Sequence, residues 1–166
     1  MSISSITETT QYLSFKLGEE IFAVDVAKVR EILDVTAITK VPQTPDFMRG
    51  VINLRGSVVP VMDMRLKFGM PPTERTVNTC IIVMEVTQEG ETMVLGSLAD
   101  SVQEVLDLDP DQIEAAPRIG TRLRSDFIKG MGKHNDRFII ILEIDRIFSV
   151  GELEVVSESL TDEAHE

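Results

Sequence analysis

The chain has 166 residues and a formal net charge of −12, a length that fits one ordinary domain or two small ones. So acidic a chain lacks the basic surface that drives binding to nucleic acid, and we expect no nucleic-acid partner. A single cysteine excludes an internal disulfide, and without a signal peptide or an apolar run of about 18 residues we expect a cytoplasmic protein that does not insert into a membrane.

The first predicted elements are a hairpin and a short helix. Residues 12–17 and 20–26 are rich in aromatic and β-branched types, and the Gly18-Glu19 pair between them is a two-residue hairpin signal. Asp25 is a suitable N-cap, and apolar residues recur after it at helical spacing. We therefore expect a short helix that ends at Leu33.

The rest of the first half alternates extended chain with turns. Residues 38–41 are predicted to be extended, and the prolines within residues 42–45 exclude a helix interior there. A turn over residues 53–56 precedes a predicted strand over residues 57–62. The Gly-Met-Pro-Pro string at residues 69–72 marks a break between two halves of the chain.

The second half repeats this order of elements. Residues 80–86 and 92–98 are predicted strands around a turn at residues 89–91, and residues 138–144 form a late strand. Between them, a short helix is expected over residues 100–106.

The repetition extends to short strings of residues. Residues 29–34 match residues 102–107 at an offset of 73, and residues 46–51 match residues 126–131 at an offset of 80. Short apolar strings also match by chance, but both matches occur in the same order within their halves. Two halves of short strands, without the long helices that a parallel sheet needs, predict an all-β fold of two small barrels in tandem.

The sequence offers little material for catalysis or metal binding. His134 lies in a polar turn and His165 lies in an acidic tail, so neither is placed for a catalytic triad. One cysteine and one folded histidine cannot complete a zinc site. The Asp107-x-Asp109-x-Asp111 series opens like a calcium loop but lacks its glycine and terminal acid. We expect no enzyme activity, no metal and no cofactor.

Two charged positions lie beside apolar strings. Arg55 is at the predicted turn, and Glu31 lies between Val29 and Ile32 in the predicted first helix. An exposed pair of this kind contributes little to stability, so we expect any role of these residues to lie in orientation or recognition. At the chain end, residues 152–166 contain six acidic residues and no Lys or Arg, which predicts a solvated, flexible tail.

Five strings stand in a fixed order between residues 11 and 148. They are Val29-Arg30-Glu31-Ile32, the Gly-Val-Ile-Asn-Leu-Arg-Gly string at 50–56, the string at 58–65, Asp100 to Leu106, and the tract at 127–132 followed by 136–142. Each string alone is weak. Their combined order over nearly all of the folded body resembles the CheW family of chemotaxis coupling proteins.

The resemblance implies a fold, a domain layout and a role. The fold is two SH3-like five-stranded β-barrels around a shared hydrophobic region, in one CheW-like domain over residues 1–151. The barrels fall at about 11–70 and 71–150, with end strands able to cross over. The role is that of a non-catalytic adaptor between the cytoplasmic tip of methyl-accepting chemoreceptors and the regulatory domain of the histidine kinase CheA, in membrane-associated receptor arrays.

The resemblance also implies site residues. The receptor-facing set is Val29, Glu31, Ile32, Asn53, Arg55, Val102 and Val105. The motifs do not specify the kinase-facing surface in the same way, and we expect Arg49, Gly50 and Ile52 to form it.

Other functions are open from the sequence. One is a double-barrel regulatory domain cut from a larger kinase or adaptor, although the start at Met1 and the polar end favour a complete protein. Another is a small-ligand-binding barrel or enzyme, against which the scarcity of His, Cys and Trp argues. The residues also do not separate chemotaxis from service to a related pathway, such as surface motility or second-messenger control.

Overall fold

A computed structural model of the chain describes residues 9–115 and 127–164. The strands are β1 Thr10–Leu17, β2 Glu20–Asp25, β3 Val29–Asp34, β4 Met48–Leu54, β5 Ser57–Met62, β6 Cys80–Gln88, β7 Glu91–Ala99, β8 Ser101–Leu108, β9 Ile113–Glu114, β10 Ile128–His134 and β11 Arg137–Leu142. The α-helices are α1 Met64–Lys67, α2 Ile144–Ile147 and α3 Val150–Ala164, and single 3₁₀ turns occupy Val26–Lys28 and Pro110–Gln112.

The strands form two curled sheets. The first has the order β8-β1-β2-β11-β10-β9 and the second has the order β3-β6-β7-β5-β4. In the first sheet the end strands β8 and β9 are joined by the Pro110–Gln112 turn, so the two ends of the sheet meet. In the second, a bridge between Thr39 and Val51 ties the segment after β3 to β4. The predicted all-β fold of two barrels is confirmed. We call the first sheet the first barrel and the second sheet the second barrel.

The two barrels exchange strands. The β1–β2 hairpin belongs to the first barrel, but the next strand, β3, pairs with β6 of the second. Likewise the β6–β7 hairpin belongs to the second barrel, but β8 pairs with β1 of the first. A boundary near residue 70 therefore does not separate the two sheets, because each barrel takes strands from both halves of the chain.

The predicted hairpins and the strand over residues 57–62 are present, but both predicted short helices are wrong. Asp25 does cap a turn, accepting a hydrogen bond from the Ala27 N–H at 2.9 Å, but the turn stops at Lys28 and β3 follows. The segment from Ser101 to Leu108 is strand throughout. Pairing with β6 and β1, strands distant in the sequence, overrides the local helical spacing in both segments.

The acidic segment expected to be a flexible tail is also different, since α3 covers residues 150–164. Its start has a capping box, in which Ser149 Oγ accepts from the Glu152 N–H and Glu152 accepts from the Ser149 N–H. Leu153 and Val156 are buried. The helix forms because these apolar side chains pack on the barrels. Residues 165–166 lie outside the described residues.

Each barrel has a small core of its own, and a larger cluster spans both; we call this third one the shared cluster. The shared cluster includes Phe15, Phe22 and Leu142 of the first barrel, Met62, Ile82 and Leu95 of the second, and Leu153 and Val156 of α3. Phe47 contacts Phe148 with ring centroids 5.2 Å apart, and Phe68 contacts Phe127 at 6.1 Å. The first contact joins the segment before β4 to the residue after α2, and the second joins the segment before β10 to the residue after α1.

Candidate functional site

The β4–β5 turn projects an arginine toward β3. Arg55 and Gly56 both have left-handed backbone conformations, with φ of 50° and 89°, as a tight two-residue hairpin turn requires. Asn53 Oδ1 accepts a hydrogen bond from the Gly56 N–H at 2.9 Å, which fixes the turn. The Arg55 side chain then reaches Glu31, so the structure brings these two predicted site residues together.

The Glu31–Arg55 contact is a two-point ion pair. Arg55 Nη1 lies 3.3 Å from Glu31 Oε1, and Nη2 donates to Oε2. The hydrogen bond from Arg55 lowers the pKa of Glu31, and Glu31 raises the pKa of Arg55. The Arg55 side chain is 70% exposed. The pair is therefore open to a partner and holds both charges in one orientation.

The apolar residues of the predicted receptor-facing set lie on β3 and β8. Val29 and Val102 are half-buried and pack against the shared cluster. Ile32 and Val105 are 45% and 54% exposed. The structure thus places Val29 and Val102 against one common core and leaves an apolar side chain open on each strand.

The predicted kinase-facing residues have structural roles in this fold. Arg49 Nη1 donates to Asp63 Oδ2 at 3.0 Å and to the Thr73 carbonyl at 3.3 Å. Gly50 has φ of 147°, and a Cβ there would clash with the carbonyl oxygen of Thr39. Ile52 is buried in the core of the second barrel. Gly50 and Ile52 therefore offer no side chain to a partner, while Arg49 remains partly exposed.

Asp63 is a buried hub that the sequence did not single out. Its carboxylate accepts the Thr73 N–H at 2.9 Å and the Thr73 hydroxyl at 2.8 Å, as well as Arg49. It also caps α1 by accepting the Arg65 N–H at 3.2 Å. An aspartate directly after an apolar strand and before Met64 was the available signal for a cap. Through Asp63, the β4 arginine is tied to the linker between the two halves of the chain.

The described parts of the chain offer no clustered metal ligands. Within residues 9–115 and 127–164, no group of three or more His, Cys, Asp or Glu side chains is placed to hold a metal ion. His134 Nε2 lies 3.8 Å from Glu104 Oε1, and both side chains are partly exposed. Across the same residues, no helix is long and apolar enough to span a bilayer.

The comparisons with known proteins agree with this geometry. The sequence profile of the CheW-like domain matches residues 11–152. The chemotaxis protein CheW of Klebsiella aerogenes is 36% identical over 146 residues, which cover 88% of this chain and 86% of that protein. A probable chemotaxis protein CheW of Rhizobium etli is 35% identical over 144 residues, covering 87% and 90%.

A solved structure is similar as well. The crystal structure of the scaffolding protein TtCheW from Thermoanaerobacter tengcongensis matches with a TM-score of 0.76 and 34% identity, covering 86% of this chain and 90% of that one. Fold and site together define a scaffold protein of the double-barrel class. More particularly, the chain belongs to the CheW family of chemotaxis adaptors.

Proposed function

We propose that this protein is a non-catalytic adaptor that couples methyl-accepting chemoreceptors to the histidine kinase CheA, in the cytoplasm and at receptor arrays. The observation that carries the proposal is the exposed Glu31–Arg55 ion pair, anchored on β3, a strand that also carries the exposed apolar side chain of Ile32. Family membership supports the same role.

The receptor-facing surface has the chemistry that a helix requires. A receptor tip is a helical hairpin, and an amphipathic helix docks by laying its apolar stripe on an apolar surface. Val29 and Ile32 supply apolar contact on β3, and Val102 and Val105 supply it on β8. The fixed charges of the ion pair then set the register of the helix, because a mismatched charge against them costs binding energy.

The kinase-facing surface is proposed to centre on Arg49. Its guanidinium is held by Asp63, and it lines a surface hollow of about 640 Å³ together with Lys40, Pro42 and Pro45. Gly50 supports this surface from within, since only glycine fits against Thr39.

The test is a binding measurement with purified receptor and CheA fragments. We expect Arg55→Glu to fold normally and to lose receptor binding, because it places two acids side by side where an ion pair stood. Arg146→Glu is the matched control, since Arg146 is an exposed arginine on α2. Wild-type binding by folded Arg55→Glu would remove Arg55 from the site.

A charge swap separates recognition from orientation. The double variant Glu31→Arg with Arg55→Glu restores an ion pair with reversed polarity. If the pair acts by holding its own geometry, the swap recovers binding. If each charge is read by the receptor, the swap stays defective.

A further inference from the structure

A groove of about 430 Å³ runs between α3 and the end of the β6–β7 hairpin. On the hairpin, Val86 is paired with Met93, and two residues nearer the turn Gln88 is paired with Glu91. Paired residues, and residues two apart on one strand, share a face of the sheet, so these four line the groove from one side. From α3 come Val150 and the positions three, four, seven and eight residues after it, which form one face of the helix.

The floor of the groove is apolar and continuous with the shared cluster. Val86 and Leu153 are buried members of that cluster, and Met93 packs against it. Ser157 Oγ lies 4.0 Å from Met93 Sδ, which places α3 against this face of the hairpin. Val150 remains 40% exposed at the start of the helix. The groove therefore keeps apolar surface open between its two walls.

Contacts at both ends of the α2–α3 segment hold the groove in shape. Gln88 Nε2 donates to the carbonyl of Asp145 at 2.8 Å and to that of Phe148 at 2.6 Å, so the hairpin end is tied to the residues that lead into α3. The ion pair between Lys67 and Glu152 fixes the first turn of α3 itself. A groove formed in advance spares a partner part of the entropic cost of binding.

All the charged side chains that line the groove are acidic. They are Glu89 and Glu91 on the hairpin and Glu154 and Glu158 on α3. Among residues 9–115 and 127–164, no cation forms an ion pair with any of the four. Lys28 is neutralised by Asp145, and Arg146 is exposed on α2 without lining the groove. The rim is therefore negative around an apolar floor.

We propose that this groove docks a basic amphipathic helix of a partner protein, with lysine or arginine beside its apolar stripe. The stripe packs over Val150 and Met93, and the flanking cations face the four glutamates. A second copy of this chain is not the occupant, because its net charge of −12 is repelled by the same rim. The groove contains none of the residues expected to face the receptor or the kinase, so the inference goes beyond the proposed function.

The test is isothermal titration calorimetry of the full chain with two synthetic helical peptides. One peptide has leucines at positions i, i+3, i+4 and i+7 with lysines beside them, and the other has glutamates in place of the lysines. We expect only the lysine peptide to bind, and to bind more weakly as salt rises. Glu91→Lys combined with Glu154→Lys should weaken its binding about tenfold. Val150→Ser should weaken it about threefold, because part of an apolar contact is lost.

Each groove variant has a matched control, and circular dichroism confirms that every variant is folded before titration. Glu19→Lys combined with Glu114→Lys changes the net charge equally at exposed glutamates outside the groove. Val155→Ser removes a valine of equal exposure, 41%, that lies on α3 outside the groove. Weaker binding by the groove variants with wild-type binding by the controls supports the proposal. It is overturned if the lysine peptide does not bind, if the glutamate peptide binds as tightly, or if the controls weaken binding as much as the groove variants.

Discussion

A lysine clamp holds α3 against the barrels, and its removal is the sharpest test of the packing described above. Lys67 Nζ lies 3.0 Å from both carboxylate oxygens of Glu152. The same ammonium lies 5.3 to 5.8 Å from the ring centroids of Phe47, Phe127 and Phe148. Both charged side chains are largely shielded from solvent, with exposures of 17% and 29%. Lys67 therefore joins the start of α3 to the aromatic contacts between the barrels.

The magnitude follows from the contacts that Lys67→Met removes. A hydrogen bond to a charged group contributes roughly 1.5–3 kcal/mol, and a cation–π contact contributes roughly 0.5–1 kcal/mol at an exposed site. Because solvent still reaches the ion pair, its contribution lies toward the lower end of the hydrogen-bond range, and Met keeps the apolar stem of the lysine. We therefore expect the free energy of unfolding to fall by about 2 kcal/mol. For a protein of this size, that corresponds to a fall in Tm of about 4–8 °C.

The assay is thermal unfolding followed by circular dichroism, with hydrogen exchange of the α3 amides as a local readout. Lys40→Met is the matched control, because Lys40 is exposed and its substitution by Met removes the same charge. We expect faster exchange in α3 for Lys67→Met and no change for Lys40→Met. A Tm within about 1 °C of the wild type, together with unchanged α3 exchange, would refute the clamp.

Three further predictions test other parts of the structure. Burial raises the pKa of Glu152, but hydrogen bonds from Ser149 and Lys67 outweigh this effect and leave the pKa of Glu152 lowered. The ionised carboxylate therefore stabilises the fold at pH values above the ordinary glutamate pKa, and this stabilisation is lost as the pH falls through the folded-state pKa. We expect Glu152→Gln to remove this acid-dependent step from the hydrogen exchange of α3. Gly50→Ala should destabilise the fold by more than about 2 kcal/mol in urea unfolding, through the clash with Thr39, whereas Gly56→Ala, which meets open space, should cost less. Arg55→Glu should leave the urea midpoint close to that of the wild type, because its side chain is exposed.

Local signals were sufficient for the hairpins. Gly18 adopts φ of 64° between β1 and β2, as its position between two apolar runs predicted. The strand predicted over residues 57–62 coincides with β5. In each case the information lies within a few residues, in turn chemistry and in β-branched runs.

The errors arise where the deciding partner is distant in sequence. β3 and β8 have apolar residues at a spacing that also suits a helix, and only pairing with β6 and β1 decides for strand. In α3, the acidic composition obscured a stripe of Leu153, Val156 and Leu160, although the Ser149–Glu152 capping box was readable.

The candidate site divides in the same way. Family resemblance indicated Glu31 and Arg55, and the structure shows them in contact. Resemblance alone did not distinguish side chains that face a partner from those that support the surface, and Gly50 and Ile52 belong to the second kind.

The strand exchange has a consequence for how the adaptor would transmit a signal. β3 follows the first-barrel hairpin in sequence but completes the second barrel, and β8 does the reverse. Neither barrel can close without a strand from the other half of the chain, so the two should unfold in one cooperative transition. The candidate receptor-facing surface uses both exchanged strands, through Val29 and Glu31 on β3 and Val102 and Val105 on β8. A helix that displaces one of them would therefore act on the shared cluster directly, without requiring motion between independent domains.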